Sequence, residues 1–264
     1  MIDSGMIVFS DLDGTLLDHH DYSHAAALPA LEVLRRNNIP IVLASSKTPS
    51  EMAPLRAELG FSHCPAIVEN GAGVLAANAP AIASPESYEK LLNQLEDMPK
   101  ALRMHFVGFS QMTIAEVATS TGLSHDGAVR AKERCFSEPG TWHGNDAQLK
   151  TFLAVLSEQG IFSKQGGRFL TLSFGGSKAA RMAEIITKMQ DETGKKPVSI
   201  ALGDAPNDLE MLQAANHGVI ILNPAHAGIP KLPEEERGQI TRSLQPGPIG
   251  WNEAVLNHVS HYSH

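Results

Sequence analysis

A short apolar run followed at once by an acidic turn constrains the fold of this chain more than any other stretch. Met6 to Phe9 is uniformly apolar, which is typical of a strand buried in a parallel sheet. Asp11, Asp13 and Gly14 follow it, so two carboxylates stand one residue apart where glycine allows a tight turn. Because parallel strands need crossover connections, the stretch predicts an α/β chain.

The spacing of the two carboxylates suits chemistry on a phosphate ester. One oxygen of Asp11 can bind Mg²⁺ while the other attacks phosphorus, which produces an aspartyl-phosphate. Asp13 can then protonate the leaving oxygen and later accept a proton from the attacking water. A solvated acidic turn is the alternative, and the motif alone leaves both interpretations open.

The composition narrows the classes of protein to consider. The chain has 264 residues, 42% of them hydrophobic, enough for one large domain or two modest ones. The net charge of −8 and the lack of a dense Lys/Arg block argue against nucleic acid and anionic membranes as partners. Cys64 and Cys135 are too few for a disulfide framework or a zinc site. With no signal region or spanning run in the sequence, we expect a cytoplasmic protein.

A second polar strand end follows the predicted strand Ile39 to Ala44. Ser45 stands at its carboxyl end, and Thr48 opens a helix with a capping box. Ser45 lies too early to cap that helix and is predicted to bind phosphate. Thr48 is predicted to cap, while both interpretations stay open for Ser46.

A third polar strand end follows the predicted strand Val198 to Leu202, where Gly203 and Asp204 precede Asn207 and Asp208. In a doubly wound sheet, the carboxyl ends of the parallel strands share one edge. We therefore expect a single site that contains these side chains: Asp11, Asp13, Ser45, Asp204 and Asp208.

The middle of the chain has a different pattern. Helices are predicted after Ser84, from the capping box at Thr113 to Gly122, and from Asn145 to Gly160, and Gly166-Gly167 predicts a hairpin. This mixture favours an α+β insert. The predicted organisation is a doubly wound parallel-sheet core in residues 1–80 and 175–264, interrupted by an α+β domain in residues 81–174.

Two polar stretches are predicted to have no role in the site. His258, His261 and His264 recur every third residue and are interpreted as a frayed surface tail. Glu234 to Arg237 is interpreted as a solvated loop.

Four motifs resemble those of the haloacid dehalogenase superfamily of phosphatases. Asp11-Leu12-Asp13-Gly14-Thr15 matches the first motif, Ser45 the second, Lys178 the third, and Gly203-Asp204 with Asn207-Asp208 the fourth. The resemblance implies a Rossmann-like core with a cap domain that selects the substrate.

The same resemblance implies a role for each matching residue. Asp11 would be the nucleophile, Asp13 the general acid and base, and Lys178 the cation that neutralises the phosphoryl group. The Asp11 carboxylate, the Asp13 carbonyl and Asp204 would hold Mg²⁺, with either Asn207 or Asp208 ordering its water shell. The alternative for Lys178 is a solvent-facing lysine in the first turn of a helix. A cation is unfavourable there unless a nearby anion compensates it, because that end of the helix dipole is positive.

Scattered strings over most of the chain are similar to the mannosyl-3-phosphoglycerate phosphatases, among them Ser45-Ser46-Lys47-Thr48, Glu69-Asn70-Gly71-Ala72 and Arg134-Cys135-Phe136-Ser137-Glu138-Pro139. This implies 2-O-mannosyl-3-phosphoglycerate as the substrate. The residues predicted to bind it are Ser46, Asn70, Gly71, Arg134, Ser137, Glu138 and Arg168. The two arginines would clamp the glycerate carboxylate, and Ser137 and Glu138 would meet sugar hydroxyls.

The alternatives to this substrate assignment stay open. Surface arginines and a helix that ends at Ser137-Glu138-Pro139 explain these cap residues nearly as well. A glucosyl-3-phosphoglycerate or a general sugar phosphate is the alternative substrate. No oligomeric state is indicated.

Overall fold

The computed structural model describes residues 5–80, 85–166, 168–225 and 227–262. The chain forms two compact units: the first comprises Met1–Ser45, Arg56–Asn78 and Ser177–His264, and the second comprises Ser46–Leu55 and Ala79–Gly176. The division into a core and a cap at residues 80 and 174 stays a prediction.

The helices and strands alternate over residues 6–68. In order along the whole chain they are β1 (Met6–Ser10), α1 (Leu28–Arg36), β2 (Ile41–Ala44), α2 (Pro49–Glu58), β3 (Ala66–Val68), β4 (Gly73–Leu75), α3 (Glu86–Glu96), α4 (Lys100–Arg103), β5 (Phe106–Gly108), α5 (Ile114–Thr121), α6 (His125–Lys132), β6 (Ser137–Trp142), α7 (Asp146–Glu158), β7 (Phe162–Gly166), β8 (Phe169–Ser173), α8 (Lys178–Thr193), β9 (Val198–Gly203), α9 (Leu209–Ala214), β10 (His217–Leu222), α10 (Pro233–Glu236), β11 (Ile240–Pro246) and α11 (Gly247–Tyr262).

The first unit is organised around a sheet with the strand order β11-β10-β9-β1-β2-β3-β4. All neighbours pair in parallel except β3 and β4, which are antiparallel. Strand β1 lies between β9 and β2, with Val8 opposite Ile200 on one side and Ile41 on the other. Every residue of β1 is buried, as the apolar run Met6 to Phe9 predicts, and the polar Ser10 at its end is buried too. The α/β class with a mostly parallel sheet is therefore confirmed.

Helices cover the two faces of this sheet because each presents an apolar stripe to it. Met182 and Ile186 of α8 and Met211 and Leu212 of α9 pack on one face, in a cluster that includes Phe9 of β1. Elsewhere in the core, Trp251 of α11 is fully buried, and its indole Nε1–H donates to Ser10 Oγ over 2.9 Å.

The second unit contains a four-stranded antiparallel sheet with the order β5-β6-β8-β7. The predicted hairpin is confirmed as β7 and β8, although Gly167 lies outside the described residues. The capping box predicted at Thr113 is confirmed, and the αL conformation of Gly122 ends α5. The helix predicted from Asn145 is confirmed as α7, and its start also forms a capping box. The additional antiparallel sheet completes the predicted fold class.

The structure corrects three local interpretations. Glu234 to Glu236 lie in the short helix α10, because Pro233 suits a first helical position and Glu235 accepts from the Leu232 N–H over 2.8 Å. His258 lies half-buried inside α11, whose Trp251, Val255 and Val259 face the core at helical spacing; His264 lies outside the described residues. Ser137 to Pro139 belong to strand β6, not to the end of a helix.

A fourth difference is a helix that the sequence pattern did not reveal. Helix α6 begins at His125, where Ser124 caps it by accepting a hydrogen bond from the Gly127 N–H.

Among the described residues, no helix combines the length and the apolar character needed to cross a bilayer.

Candidate active site

Three carboxylates converge at one edge of the sheet in the first unit. Oxygen atoms of Asp11, Asp204 and Asp208 all lie within 4.8 Å of one another, and the three side chains are buried. They converge because β1 and β9 are parallel neighbours that end together, and the Asp11 N–H donates to the Leu202 carbonyl over 2.9 Å. The polar strand ends seen in the sequence thus meet in space.

Lys178 places a positive charge inside this acidic group. Its Nζ lies 2.6 Å from Asp11 Oδ1 and 2.6 Å from Asp208 Oδ1, with only 2% of the side chain exposed. Lys178 occupies the first turn of α8, which begins where Ser177 accepts a hydrogen bond from the Ala180 N–H. The unfavourable position of a cation at a helix start is therefore offset by two carboxylates.

Burial and charge shift the acid–base behaviour of this pair. Burial, and then the neighbouring Asp208 carboxylate, raise the pKa of Asp11 well above its usual value, although Lys178 opposes them. Burial alone would lower the pKa of Lys178, but the carboxylates Asp11 and Asp208 outweigh it and raise that pKa. Lys178 therefore stays an ammonium ion across the physiological range of pH.

Both oxygens of Asp204 are held by hydrogen bonds from other strand ends. Thr15 Oγ1 donates to Asp204 Oδ1 over 2.9 Å, and Asn223 Nδ2 donates to Asp204 Oδ2 over 2.7 Å. Sequence reasoning missed both of these contacts. Asn223 carried a usable signal, because it is a polar residue directly after the apolar strand β10, as Asp11 and Asp204 are after theirs.

The fourth-motif loop places Asp208 in the acidic group and leaves Asn207 outside it. Asp208 is fully buried, and its Oδ2 accepts from the Ala205 N–H over 3.2 Å, whereas Asn207 is exposed. Gly203 is required here, since a Cβ at this position would lie 2.5 Å from Asp208 Cβ. Of the two candidates for the metal shell, Asp208 is the one beside the other carboxylates.

Asp13 and Ser45 occupy the predicted strand ends. Asp13 is half-buried in the turn whose Gly14 has φ +82°. Ser45 is buried, and its carbonyl accepts from the Asn70 N–H over 2.9 Å. Asn70 Oδ1 is buried and has no hydrogen-bond partner among the described residues. The assigned roles of Asp13, Ser45 and Asn70 stay predictions.

Gly71 touches the start of helix α8. It lies in a turn in which Glu69, Asn70 and Gly71 all have positive φ, of 51°, 57° and 90°. A Cβ on Gly71 would overlap the Ser177 carbonyl carbon and lie 2.5 Å from Lys178 N. Arg181 Nε donates to the Gly71 carbonyl over 3.1 Å. The turn therefore supports the peptide that carries Lys178.

The chemistry of these groups fits a divalent metal ion. If the three carboxylates are ionised, Lys178 balances one of them and a charge of −2 is left in a buried site. Burying two negative charges without a counter-ion costs free energy. A divalent cation that prefers oxygen ligands would neutralise both remaining charges. The acidic group therefore suits Mg²⁺.

The substrate-binding candidates of the second unit lie in different environments. Arg134 is buried and donates through Nη2 to Ser137 Oγ over 2.7 Å and through Nη1 to the Ser46 carbonyl over 3.5 Å. Glu138 accepts from Tyr88 Oη over 2.6 Å and from Ser110 Oγ over 2.6 Å.

Burial raises the pKa of Glu138, even though hydrogen bonds from Ser110 and Tyr88 oppose the shift. Arg168 is exposed, with its guanidinium 5.9 Å from the centre of the Phe169 ring. The hydrogen bonds described here for Arg134 and Glu138 join residues of the second unit, whereas Arg168 is exposed to solvent. Their roles toward a substrate stay predictions.

A family model and several solved structures match this chain. Residues 8–136, about half of the chain, match the model of the family described as haloacid dehalogenase-like hydrolase. A hypothetical protein from Geobacillus kaustophilus is similar over 96% of this chain and 98% of its own, with 21% identity and a TM-score of 0.64.

Two phosphatases are among the similar solved structures. A phosphatase of the haloalkanoate (HAD) superfamily from Bacteroides thetaiotaomicron is 18% identical, with a TM-score of 0.61 over 99% of this chain and 97% of that one. The sucrose-phosphatase of Synechocystis, solved with sucrose and phosphate, is 14% identical, with a TM-score of 0.57 over 98% of each chain. At these identities the likeness shows a shared fold.

Proposed function

We propose that this chain, a haloacid dehalogenase-like hydrolase, is a Mg²⁺-dependent phosphatase that uses Asp11 as its nucleophile. The observation that carries the proposal is the position of the buried Asp11 carboxylate. Its Oδ1 lies 2.6 Å from Lys178 Nζ, and the carboxylates of Asp204 and Asp208 lie beside it. A carboxylate held next to a fixed cation suits attack on an anionic phosphate ester.

In the first half of the reaction, the free oxygen of Asp11 attacks phosphorus while Lys178 holds Oδ1. The bond from phosphorus to the ester oxygen breaks, and Asp13 gives its proton to the departing alcohol. Lys178 and the Ser45 hydroxyl stabilise the negative charge on the phosphoryl oxygens. The product of this half is an aspartyl-phosphate on Asp11.

In the second half, water attacks the phosphorus of the aspartyl-phosphate. Asp13, now a carboxylate, accepts a proton from the water, and the bond between phosphorus and Asp11 breaks to release inorganic phosphate. Asp11, Asp204 and the Asp13 carbonyl would hold Mg²⁺, which supplies positive charge to the phosphoryl group when bound. Asp208 orders the metal surroundings in this proposal.

For the substrate, we propose 2-O-mannosyl-3-phosphoglycerate, which would give mannosylglycerate, a compatible solute, and phosphate in the cytoplasm. The support is the resemblance of the strings around Ser45, Asn70 and Arg134 to the mannosyl-3-phosphoglycerate phosphatases. The exposed guanidinium of Arg168 is a group that can bind the glycerate carboxylate. A small phosphorylated sugar-glycerate is the proposed partner, with no nucleic acid or membrane involved.

The second candidate is a phosphatase of glucosyl-3-phosphoglycerate or of general sugar phosphates with the same mechanism. The similarity to sucrose-phosphatase favours it, since that protein was solved with a sugar and phosphate. No described contact distinguishes an axial from an equatorial sugar hydroxyl.

Phosphate release decides between these candidates. The full chain is assayed with Mg²⁺ on mannosyl-3-phosphoglycerate, its glucosyl analogue and 3-phosphoglycerate at equal concentrations, with the Asp11→Asn variant as the blank for contaminating phosphatases. A large kcat/KM preference for the mannosyl compound supports the named substrate. Equal, slow hydrolysis of all three compounds refutes the named substrate but supports the proposed phosphatase activity. If none of them releases phosphate in an Asp11-dependent way, the proposed phosphatase activity itself is refuted.

A further inference from the structure

Asn223 connects two parts of the candidate site that are distant in sequence. Its amide nitrogen donates to Asp204 Oδ2 over 2.7 Å, and the residue is 8% exposed. It arrives from the end of β10, one strand beyond the β9 strand that carries Asp204. Asn223 therefore meets Asp204 from outside the four sequence motifs.

A second hydrogen bond fixes which end of the amide faces Asp204. Asn223 Oδ1 accepts from the Ala225 N–H over 3.0 Å. Because this contact requires the amide oxygen, the nitrogen must point to the carboxylate. Asn223 thus presents a donor, and not an acceptor, to Asp204.

The same amide fits beneath the turn of the first motif. Gly14 has φ +82°, and a Cβ there would overlap Asn223 Nδ2 and lie 3.0 Å from Asp204 Oδ2. Thr15, the next residue, donates to the other oxygen of Asp204 over 2.9 Å. The carboxylate is therefore held at both oxygens, with Asn223 on one side and the first motif on the other.

We infer that Asn223 is a positioning residue, which orients the Asp204 carboxylate for binding of a divalent cation. This inference rests on the metal site of the proposed function. A carboxylate oxygen has room for more than one partner, so each Asp204 oxygen can keep its protein donor and still face a cation. Groups that hydrogen-bond to metal ligands in this way typically change metal affinity about 10–100-fold when they are replaced.

The test measures cation binding directly on the metal-free full chain. Mn²⁺ is titrated into the wild-type protein, Asn223→Ala and Asn216→Ala, and free Mn²⁺ is followed by electron paramagnetic resonance. Asn216 is a matched control, because its side chain also accepts hydrogen bonds, from Ser199 N and Oγ, just before the other end of β10. We expect the Kd for Mn²⁺ to rise about 10–100-fold in Asn223→Ala only.

A second readout separates orientation of Asp204 from a general loss of structure. In Asn223→Ala, the Mg²⁺ concentration for half-maximal phosphate release rises, saturating Mg²⁺ restores most of kcat, and KM for substrate stays near its wild-type value. If Asn223→Ala does not fold, Asn223→Ser replaces it in both assays, since its shorter hydroxyl does not reach Asp204.

The outcomes distinguish this inference from the proposed function. Equal Mn²⁺ affinity in the wild-type protein and a folded Asn223 variant overturns the role of Asn223 and leaves the phosphatase intact. A loss of activity that no concentration of Mg²⁺ restores also overturns it. A wild-type protein that binds no Mn²⁺ and needs no Mg²⁺ for phosphate release refutes the metal site of the proposed function itself.

Discussion

Lys178 Nζ lies 2.6 Å from Asp11 Oδ1, so the candidate nucleophile has its counter-ion in place before a substrate binds. The same nitrogen lies 2.6 Å from Asp208 Oδ1, and one ammonium therefore serves two buried carboxylates. Positive charge held in this way costs no reorganisation when a phosphoryl group arrives. It also makes the fold depend on Lys178.

Replacing Lys178 by Met should damage both stability and activity. Removing one partner of a buried ion pair leaves uncompensated charge and typically costs about 3–5 kcal/mol. We expect Lys178→Met to lower the free energy of unfolding by about that amount and to abolish phosphate release. The control is Lys188→Met on the exposed side of α8, which should stay within about 0.5 kcal/mol of wild type. Denaturant unfolding measures the stability of both variants, and a phosphate-release assay measures the activity of Lys178→Met. Equal stability of the two variants would contradict the expectation.

Replacing Asp11 by Asn should remove turnover without unfolding the protein. An amide is not a nucleophile toward phosphorus, and the substitution preserves the size of the side chain. We expect phosphate release with Mg²⁺ to fall by at least about 10³-fold, comparable with the loss of other nucleophiles. Appreciable residual turnover in a folded sample would rule out Asp11 as the nucleophile.

The same substitution should change how stability depends on pH in the absence of metal. The pKa of Asp11 is raised above its usual 3.8, so the folded state binds more protons than the unfolded state above that pH. Wild-type stability therefore falls as pH rises from about 3.8 to the folded pKa of Asp11, whereas Asn cannot ionise.

In a chelator, the Tm of Asp11→Asn should thus exceed that of the wild-type protein near pH 8, with a gap that shrinks toward pH 4. A difference of 1 kcal/mol corresponds to about 2–4 °C for a domain of 150–250 residues. Thermal unfolding across this pH range tests the expectation, and a constant gap would show that ionisation of Asp11 is not its cause.

Adding a methyl group at Gly71 should disturb the site through Lys178. The left-handed backbone costs about 1–2 kcal/mol for a residue other than glycine, and overpacking against Ser177 adds about 1–3 kcal/mol. We expect Gly71→Ala to lose stability by the sum of these costs and to lower kcat. Gly194→Ala at the end of α8 has φ +74° with nothing within 4 Å of the added carbon, and should show only the backbone cost. Similar losses in the two variants would argue against a contact with Lys178.

Replacing Arg168 by Ala tests the proposed carboxylate clamp. A charged hydrogen bond contributes about 1.5–3 kcal/mol, so KM for mannosyl-3-phosphoglycerate should rise at least about tenfold. KM for para-nitrophenyl phosphate, which has no carboxylate, should stay unchanged. Arg237→Ala, which removes an exposed guanidinium paired with Glu234, is the control. Equal increases in KM for both substrates would count against the clamp.

Local signals made much of the first unit predictable. Apolar strands that end in polar residues placed Asp11 and Asp204 at one edge of the sheet, because strand ends in a parallel sheet meet regardless of the chain between them. The capping boxes at Thr48 and Thr113 were predictable for a different reason, since each depends on only four consecutive residues.

Contacts that depend on three-dimensional fit were beyond the sequence. The position of Asn223 directly after β10 marks it as a strand-end residue, but its link to Asp204 requires the space under Gly14, which no spacing along the chain reveals. Glu138 was predicted to meet a sugar, yet nothing in its neighbours showed that Tyr88 and Ser110 would hold both its oxygens. The sequence also left Asn207 and Asp208 equivalent, and the turn at Pro206–Asp208 buries only Asp208.

The central position of β1 has a consequence for the time at which the site is formed. During synthesis, Asp11 is made 191 residues before Leu202, whose carbonyl accepts the hydrogen bond that fixes the Asp11 backbone. Pairing between such distant strands is slow, because closing the long loop between them costs conformational entropy before any contact stabilises the pair. A nascent chain that ends before Lys178 therefore carries the acidic turn without Lys178, Asp204 or Asp208, and cellular phosphate esters meet a competent site only after synthesis has passed Asp208.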